Sequence, residues 1–304
     1  SIFMPIDSPS DQDKTPQRIA VVVASLGPGG AEKIAALLAG SWTKCGHTVR
    51  LITFEAPDTS AFHPLNPAVE YHPISCAQPS CSLSAAIYNN IRRWVRIRRQ
   101  VRTFGSTVVV SFGQDTSVLT FLALLGTGIP LIASERVDPL LHPIARPWRI
   151  LRKMVYSFID TVVVQTTAMA LRLPHRRQPV NVVPNPVLVP RYDAHQKPPP
   201  PALRRPAIIS AGRLVTQKRF DLLIHAFART SSDAPDWFLY IFGEGSERPY
   251  LEQRIKERGL YDRVFLPGLV RPLDPVLKDG DLFVLSSDYE GFPNALCEAM
   301  AAGL

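Results

Sequence analysis

A repeating order of short apolar runs and helical patterns is the feature that most constrains how this chain can fold. The apolar run 19–26 (IAVVVASL) ends at a loop of glycine and proline, a helical pattern follows over 31–46, and a second apolar run occupies 48–54. Strand, glycine loop, helix and strand make a βαβ unit, and such a crossover joins parallel strands. We therefore predict an α/β fold with parallel sheets.

The remaining apolar runs fall into two sets. The first set of strand candidates is 107–112, 130–135, 161–166 and 180–187. The second set is 207–213, 237–243, 263–268 and 281–287, with helices predicted at 219–230, 246–258 and 294–302. Between them, 188–206 contains four consecutive prolines and scattered charge, which predicts a semi-rigid linker.

These sets predict two Rossmann-like domains that face a cleft. The first covers 18–187 after a flexible tail over 1–17, and the second covers 207–304. The second domain is expected to be incomplete, because the sequence ends just after a helix. In such sheets ligands bind beyond the carboxyl ends of the strands, so the loops there are the first place to look for chemistry.

Composition limits the partners and the compartment. The formal net charge of +8 suits an anionic partner, but no aromatic-interleaved strand motif supports nucleic acid. The four cysteines form no metal-ligand spacing and suit a reducing compartment. With no apolar run of about 18 residues and no secretory signal pattern, we expect a cytoplasmic protein, with attachment to the inner membrane leaflet left open.

The segment 286–303 (SSDYEGFPNALCEAMAAG) carries the clearest chemistry. Asn294 is predicted to cap a helix that Pro293 introduces, and the unpaired amides of such a helix start suit a diphosphate. Glu290 precedes the helix and Glu298 lies inside it, where a carboxylate can accept two hydrogen bonds from a sugar diol. Taken alone, the two glutamates fit a solvated loop and a helix surface better than a binding site.

This segment resembles the E-x7-E signature of family-4 retaining glycosyltransferases, which have the GT-B fold. The resemblance implies that Glu290 lies beside the donor sugar and that Glu298 holds the nucleotide ribose. It further implies that sugar and phosphate meet the backbone of Phe292, Pro293, Asn294, Ala295 and Leu296.

Other segments resemble further parts of the family pattern, in the same order. The block 211–224 resembles the one that supplies two cations to the diphosphate, here Arg213 and Lys218. The block 241–252 resembles the glycine-rich turn of the nucleotide pocket. That turn contains Gly243, Glu244 and Gly245, and Leu266 lies at the turn where the base would rest. Asn185 corresponds to the crossover between the domains.

The first-domain loop 25–39 also resembles the family, with Gly29 and Gly30 implied to approach the donor phosphate or the acceptor. The acceptor side departs from the family, since the loop 112–117 lacks the histidine of many relatives. The acceptor candidates in its place are Gln114, Asp115, Glu135 and Arg136, with Asp138 close by.

The resemblance implies sugar transfer, with retention, from a nucleotide sugar to a glycan or a polyprenyl-diphosphate-linked acceptor in cell-surface polysaccharide biosynthesis. A UDP-sugar is the expected donor. Fixed cations and helix ends replace a metal in this scheme, so no cofactor is expected. Two alternatives remain open from the sequence: a nucleotide-sugar 2-epimerase, and a catalytically incomplete nucleotide-sugar-binding protein.

The stretch 91–102 (IRRWVRIRRQVR) contains six arginines. A helical wheel predicts an apolar face of Ile87, Trp94, Ile97 and Val101, and an opposite basic face of Arg92, Arg96 and Arg99. Together with the basic, aromatic stretch 146–158, this pattern fits an interfacial helix on anionic lipid. A helix packed on the sheet with a solvated basic face explains it equally well.

Overall fold

A computed structural model of the protein describes residues 15–77, 82–137, 146–173, 180–187 and 203–304. Of residues 83 and 146–148 it describes the backbone only. Most of the predicted tail, Cys81, Asp138 and most of the predicted linker lie outside the described residues. The described residues form two compact units.

The first unit contains a seven-stranded parallel sheet. Its strands are β1 Arg18–Val23, β2 Thr48–Thr53, β3 Glu70–Pro73, β4 Val108–Phe112, β5 Leu131–Ser134, β6 Thr161–Val164 and β7 Val180–Val182. Their order across the sheet is β3-β2-β1-β4-β5-β6-β7. Ala20, Val21 and Val22 are fully buried, because β1 is the inner strand from which the chain builds outward in both directions. Strand β3 was not predicted from the sequence, because its four residues EYHP carry no apolar run.

The helices of the first unit are α1 Gly30–Lys44, α2 Leu83–Phe104, α3 Gln114–Leu124 and α4 Arg146–Val155. Helix α1 packs on β1 and β2, and α2 packs on the same two strands. Helix α3 lies against both α2 and α4. Helix α3 therefore lies between α2 and α4.

The predicted apolar face of α2 is buried only in part. Ile97 and Val101 are fully buried, but Ile87 is 55% and Trp94 is 38% exposed. A 22-residue helix is about 33 Å long, whereas a six-residue strand spans about 20 Å. Only the C-terminal part of α2 can therefore cover the sheet, and a single apolar stripe cannot remain buried along its whole length. On the predicted basic face, Arg96 is partly buried and its guanidinium donates to the Ile74 carbonyl.

The second unit has a four-stranded parallel sheet in the order β10-β9-β8-β11. The strands are β8 Ala207–Ala211, β9 Phe238–Phe242, β10 Val264–Gly268 and β11 Leu282–Phe283. Its helices are α6 Phe220–Thr230, α7 Arg248–Glu257, α8 Asp274–Asp279 and α9 Asn294–Ala302, and α5 Thr167–Arg172 is grouped with the same unit. Helix α8, which the sequence analysis missed, packs against α9.

Alternate residues of the second sheet point to two separate cores. Leu239 and Ile241 of β9 pack with α6 and α7, while Tyr240 and Phe242 pack in the core that includes residues of α8 and α9. This alternation is the period of two that a β-strand imposes on its side chains. The sheet is therefore covered on both faces, as in a Rossmann-like domain.

Within the part of the chain that the structure describes, no helix has the length and apolar character needed to cross a bilayer.

Candidate functional site

Two of the predicted catalytic residues are in contact. Lys218 ends a 3₁₀ turn, Thr216–Lys218, that follows β8, and its Nζ lies 2.6 Å from Oε1 of Glu290. Both side chains are mostly buried, at 17% and 19% exposure. The loop after β8 and the loop after β11 thus join a fixed cation to a fixed carboxylate across 72 residues of sequence.

Further hydrogen bonds hold these two loops together. The Gln217 side-chain amide donates to the Tyr289 carbonyl at 2.8 Å, and the Asp288 amide donates to the Gln217 carbonyl at 3.0 Å. The Ser286 hydroxyl donates to the Lys218 carbonyl at 2.7 Å. These hydrogen bonds fix the backbone on both sides of the Lys218–Glu290 pair, and they were not predicted from the sequence.

Arg213, the third predicted catalytic residue, lies on the same loop two residues after β8 and is exposed. Lys218 and Arg213 therefore differ in their surroundings. Lys218 is held by a carboxylate, while the guanidinium of Arg213 is accessible to a ligand in solution.

The two predicted glycines after β9 allow two turns of the backbone to touch. A Cβ atom on Gly243 would clash with the Gly212 carbonyl, and one on Gly245 would clash with the Leu214 carbonyl. Gly243 also has a φ of +144°, a backbone conformation that residues with a side chain rarely adopt. The Leu214 amide donates to the Glu244 carbonyl, and the Glu247 amide donates to the Leu214 carbonyl, both at 2.9 Å. These glycines therefore bring the β9 turn against the loop of Arg213 and Lys218.

Glu244 is held in a bidentate ion pair with Arg248, with both contacts at 2.7 Å. This pairing raises the pKa of the Arg248 guanidinium above its ordinary value. Arg248 also donates to the Leu266 carbonyl at 3.2 Å, which connects two of the predicted donor residues. The sequence analysis missed Arg248, although its spacing of four residues from Glu244 is a recognisable helix-pair signal.

The predicted cap of α9 is wrong by one residue. The helix begins at Asn294, Pro293 holds the capping position, and no side chain makes a capping bond. The Asn294 side-chain oxygen instead accepts a hydrogen bond from the Asn185 amide at 2.9 Å, so it is turned away from the helix amides. Asn185 is buried and belongs to the same compact unit.

The other predicted residues of the α9 segment are partly exposed. This group comprises Phe292, Pro293, Ala295, Leu296 and Glu298. Burial, and to a lesser degree the neighbouring Glu298 charge, raise the pKa of the Cys297 thiol. The thiol is therefore kept protonated next to the carboxylate that is predicted to hold a ribose.

In the first unit, Gly29 precedes α1 and Gly30 begins it, without a side-chain capping bond. The Glu32 carboxylate lies over Gly29, in the space that a Cβ atom would need, and it accepts from the Ser25 hydroxyl at 3.3 Å. A carboxylate is favoured at this position because the helix start carries partial positive charge. A bound phosphate at this loop would have to displace it.

The acceptor candidates are mostly turned inward, towards α4. Glu135, directly after β5, is fully buried and accepts a hydrogen bond from the Tyr156 hydroxyl. The Gln114 side-chain oxygen, at the start of α3, accepts from Arg152 at 2.6 Å.

The two remaining acceptor candidates differ from each other. Arg136 lies over the Phe112 ring at 4.6 Å, and burial lowers the pKa of its guanidinium to about 10. Asp115 is exposed on α3. Among the described residues, no group of three or more His, Cys, Asp or Glu side chains could hold a metal ion.

Comparison with known proteins shows the family of the chain. The family model "Glycosyltransferase Family 4" matches residues 28–191, more than half of the chain, and "Glycosyl transferases group 1" matches 192–304. A relative in Campylobacter jejuni is 24% identical over 93% of this chain and 76% of its own length. It is named GalNAc-α-(1→4)-GalNAc-α-(1→3)-diNAcBac-PP-undecaprenol α-1,4-N-acetyl-D-galactosaminyltransferase. The lipopolysaccharide core glycosyltransferase LpsE of Rhizobium meliloti is 36% identical, over 32% of this chain and 28% of LpsE.

Solved structures show the same fold. Sucrose-phosphate synthase from Thermosynechococcus elongatus matches with a TM-score of 0.76 and 18% identity, over 94% of this chain and 79% of that one. Anabaena HepE, solved with UDP and glucose, matches with a TM-score of 0.70 and 19% identity over the same shares. The predicted GT-B class with two Rossmann-like units is confirmed, and these matches give no support to an epimerase. The chain belongs to glycosyltransferase family 4 and is a glycosyltransferase.

Proposed function

We propose that this glycosyltransferase moves a sugar from a UDP-sugar to a lipid-linked glycan, with retention of the anomeric configuration. The contact between Lys218 and Glu290 is the observation that carries the proposal. In the proposed reaction Lys218 is the cation that meets the departing diphosphate, and Glu290 beside it is the carboxylate that meets the donor sugar. Such preorganised charges lower the barrier because they need no rearrangement when charge develops in the transition state.

The proposed reaction is a displacement on one face of the donor sugar. The bond from the anomeric carbon to the diphosphate oxygen breaks, the acceptor oxygen bonds to that carbon on the same face, and the diphosphate takes the acceptor proton. Lys218 and Arg213 balance the charge of the leaving diphosphate. Glu290 orients the sugar, and Glu298 holds the ribose. We propose that no metal is needed, because these two cations perform its electrostatic role.

The donor and acceptor classes are supported by the relatives. HepE was solved with UDP and glucose, and the C. jejuni enzyme is named for a glycan on undecaprenyl diphosphate. LpsE is named for lipopolysaccharide core biosynthesis. For this chain we propose the same classes, a UDP-sugar donor and a polyprenyl-diphosphate-linked glycan acceptor. The free thiols of Cys45, Cys76 and Cys297 favour a cytoplasmic setting for the reaction.

A thermal-shift screen of UDP-, GDP- and ADP-sugars tests the donor class. A ligand at 100 times its dissociation constant stabilises the folded state by about 2.7 kcal/mol, so a bound UDP-sugar will raise the melting temperature clearly. The shift should persist with EDTA present and should shrink in Glu298→Gln, which weakens the ribose contact. Equal shifts with all three nucleotides, or none, would contradict the UDP assignment, and loss of the shift with EDTA would contradict metal independence.

A further inference from the structure

Helices α2 and α4 expose large apolar side chains on their outer faces. On α2 these are Ile87, Tyr88, Ile91, Trp94 and Val95, each between 38% and 61% exposed. On α4 and just after it they are Ile150, Met154 and Phe158, each between 61% and 66% exposed. We call these eight residues and the basic side chains among them the α2–α4 surface. Exposed apolar groups in such a cluster mark an interaction site rather than ordinary surface.

Their spacing places the apolar residues in one stripe on each helix. Residues 87, 91, 94 and 95 recur at the interval of a helix face, and 150, 154 and 158 recur every four residues. Helix α3 lies against both α2 and α4 and is itself mostly buried. Helix α3 therefore lies between the two stripes, and most of the exposed apolar side chains of this part of the unit belong to α2 and α4.

Basic residues accompany these stripes without any acidic ones. Arg99, Arg102, Arg149 and Lys153 are exposed on the two helices, and Arg92 lies over the Tyr88 ring at 5.6 Å. From Tyr71 to Gln114 the sequence contains no Asp or Glu, and neither does α4. Every charged side chain of α2 and α4 is therefore a cation, and the acidic residues next along the chain, Asp115 of α3 and Asp160 after α4, are both exposed.

Three other arginines of α2 have a different role. Arg93 donates to the Cys76 carbonyl at 2.9 Å and Arg96 donates to the Ile74 carbonyl, so both hold the chain that follows β3. Arg98 donates to the carbonyls of Ala123 and Leu125 at the end of α3. Those guanidinium groups support the fold, which separates them from the exposed cations available to a partner.

We propose that the α2–α4 surface docks on an anionic lipid bilayer. Apolar side chains enter the boundary between headgroups and acyl chains, while arginine and lysine remain among the acidic headgroups. A nucleic acid would use the cations but would leave eight apolar side chains in water. An acidic protein would need its own apolar face in register with both stripes. The inference rests on the proposed function in one respect: a lipid-linked acceptor lies in such a bilayer.

Co-sedimentation of the full chain with vesicles tests this surface. The protein should pellet with phosphatidylcholine vesicles that contain about one-third phosphatidylglycerol, and should remain in solution with phosphatidylcholine alone. Arg99→Gln with Arg102→Gln should weaken binding about 30-fold, because each cation near an acidic surface contributes roughly a factor of five. Ile150→Ser with Met154→Ser should weaken it about tenfold or more through lost apolar burial.

The matched control carries Tyr261→Ser and Arg258→Gln, which remove one exposed aromatic residue and one exposed cation from the second unit. Its vesicle binding should equal that of the unaltered protein. Failure of the protein to pellet with acidic vesicles, or unchanged binding in both surface variants, would overturn the docking proposal. The donor-induced thermal shift, measured on the same variants, reports on the proposed function separately and should be unchanged in all of them.

Discussion

Two places in the molecule use charged residues in opposite ways. One is the pair of loops after β8 and β11 in the second unit. The other is the group of Gln114, Glu135 and Tyr156 in the first unit, which we call the strand-end cluster. In the second unit, Lys218 and Glu290 contact each other at 2.6 Å while remaining partly exposed, and Arg213 is open to solvent. In the first unit, Glu135 is fully buried and bonded to Tyr156 of the chain that follows α4. The first arrangement leaves charge available to a ligand, whereas the second uses charge to attach a helix to a sheet.

A polar residue at the end of a strand can therefore either bind a ligand or support the fold. A partly exposed ion pair can exchange one partner for a phosphate or a sugar hydroxyl at modest cost. A buried carboxylate cannot lose a hydrogen bond without a penalty of about 1–3 kcal/mol. The donor candidates are therefore suited to binding a ligand, whereas Gln114 and Glu135 are suited to supporting the fold. An acceptor contact in the first unit should then come from exposed positions such as Asp115.

The largest expected effect is on transfer by Lys218→Ala. Loss of a preorganised charge at the leaving group should lower kcat by about 10² to 10³, with the fold retained. The measurement is steady-state transfer with a UDP-sugar, alongside circular dichroism. Lys256→Ala, at an exposed position on α7, removes the same charge from the same unit and should leave kcat unchanged. Near-normal turnover in Lys218→Ala would remove the main distinction between the two regions.

Much of the second unit could be predicted from sequence. The resemblance to the family implied one site for Lys218 and Glu290, and the fold agrees because each follows a parallel strand and such strands deliver their loops to one edge. The hydrogen bonds of Gln217, Ser286 and Arg248 could not be predicted, since they join loops that are far apart in the chain and depend on backbone geometry. Their residue types are common on any surface.

The first unit was harder to predict for physical reasons. Glu135 and Arg136 have the composition of a polar loop, and nothing in the sequence indicates that Glu135 is fully buried. The helical wheel of α2 gave the apolar face a single environment along the whole helix, either lipid or the sheet. That assumption fails because the helix is longer than the strands beneath it, so Ile87 and Ile97 differ in burial despite belonging to one predicted face.

A smaller effect, on stability, is expected for Gly243→Ala. The new Cβ would clash with the Gly212 carbonyl at a φ of +144°, which should cost about 3 kcal/mol or more of unfolding free energy. Gly259→Ala is the control, since Gly259 has a φ of +64° with open space around it and should lose only about 1 kcal/mol. Urea unfolding measures both. Equal losses would show that close packing of the two turns contributes nothing to the stability of the second unit.

The smallest expected effect is that of Tyr156→Phe, and it tests the other side of the comparison. Removing the hydroxyl takes one donor from the buried Glu135 carboxylate, which should lower the free energy of unfolding by about 1–2 kcal/mol. Tyr261→Phe removes a hydroxyl from a residue that is 76% exposed, and should leave urea unfolding unchanged.

Transfer and donor binding by Tyr156→Phe should remain near those of the unaltered protein below its melting temperature, because the hydroxyl supports α4 rather than a ligand. Unchanged stability together with a large loss of transfer would reverse this assignment. Glu135 would then belong to the acceptor site. The strand-end cluster of the first unit would then contact a ligand, as we propose for the Lys218–Glu290 pair of the second unit.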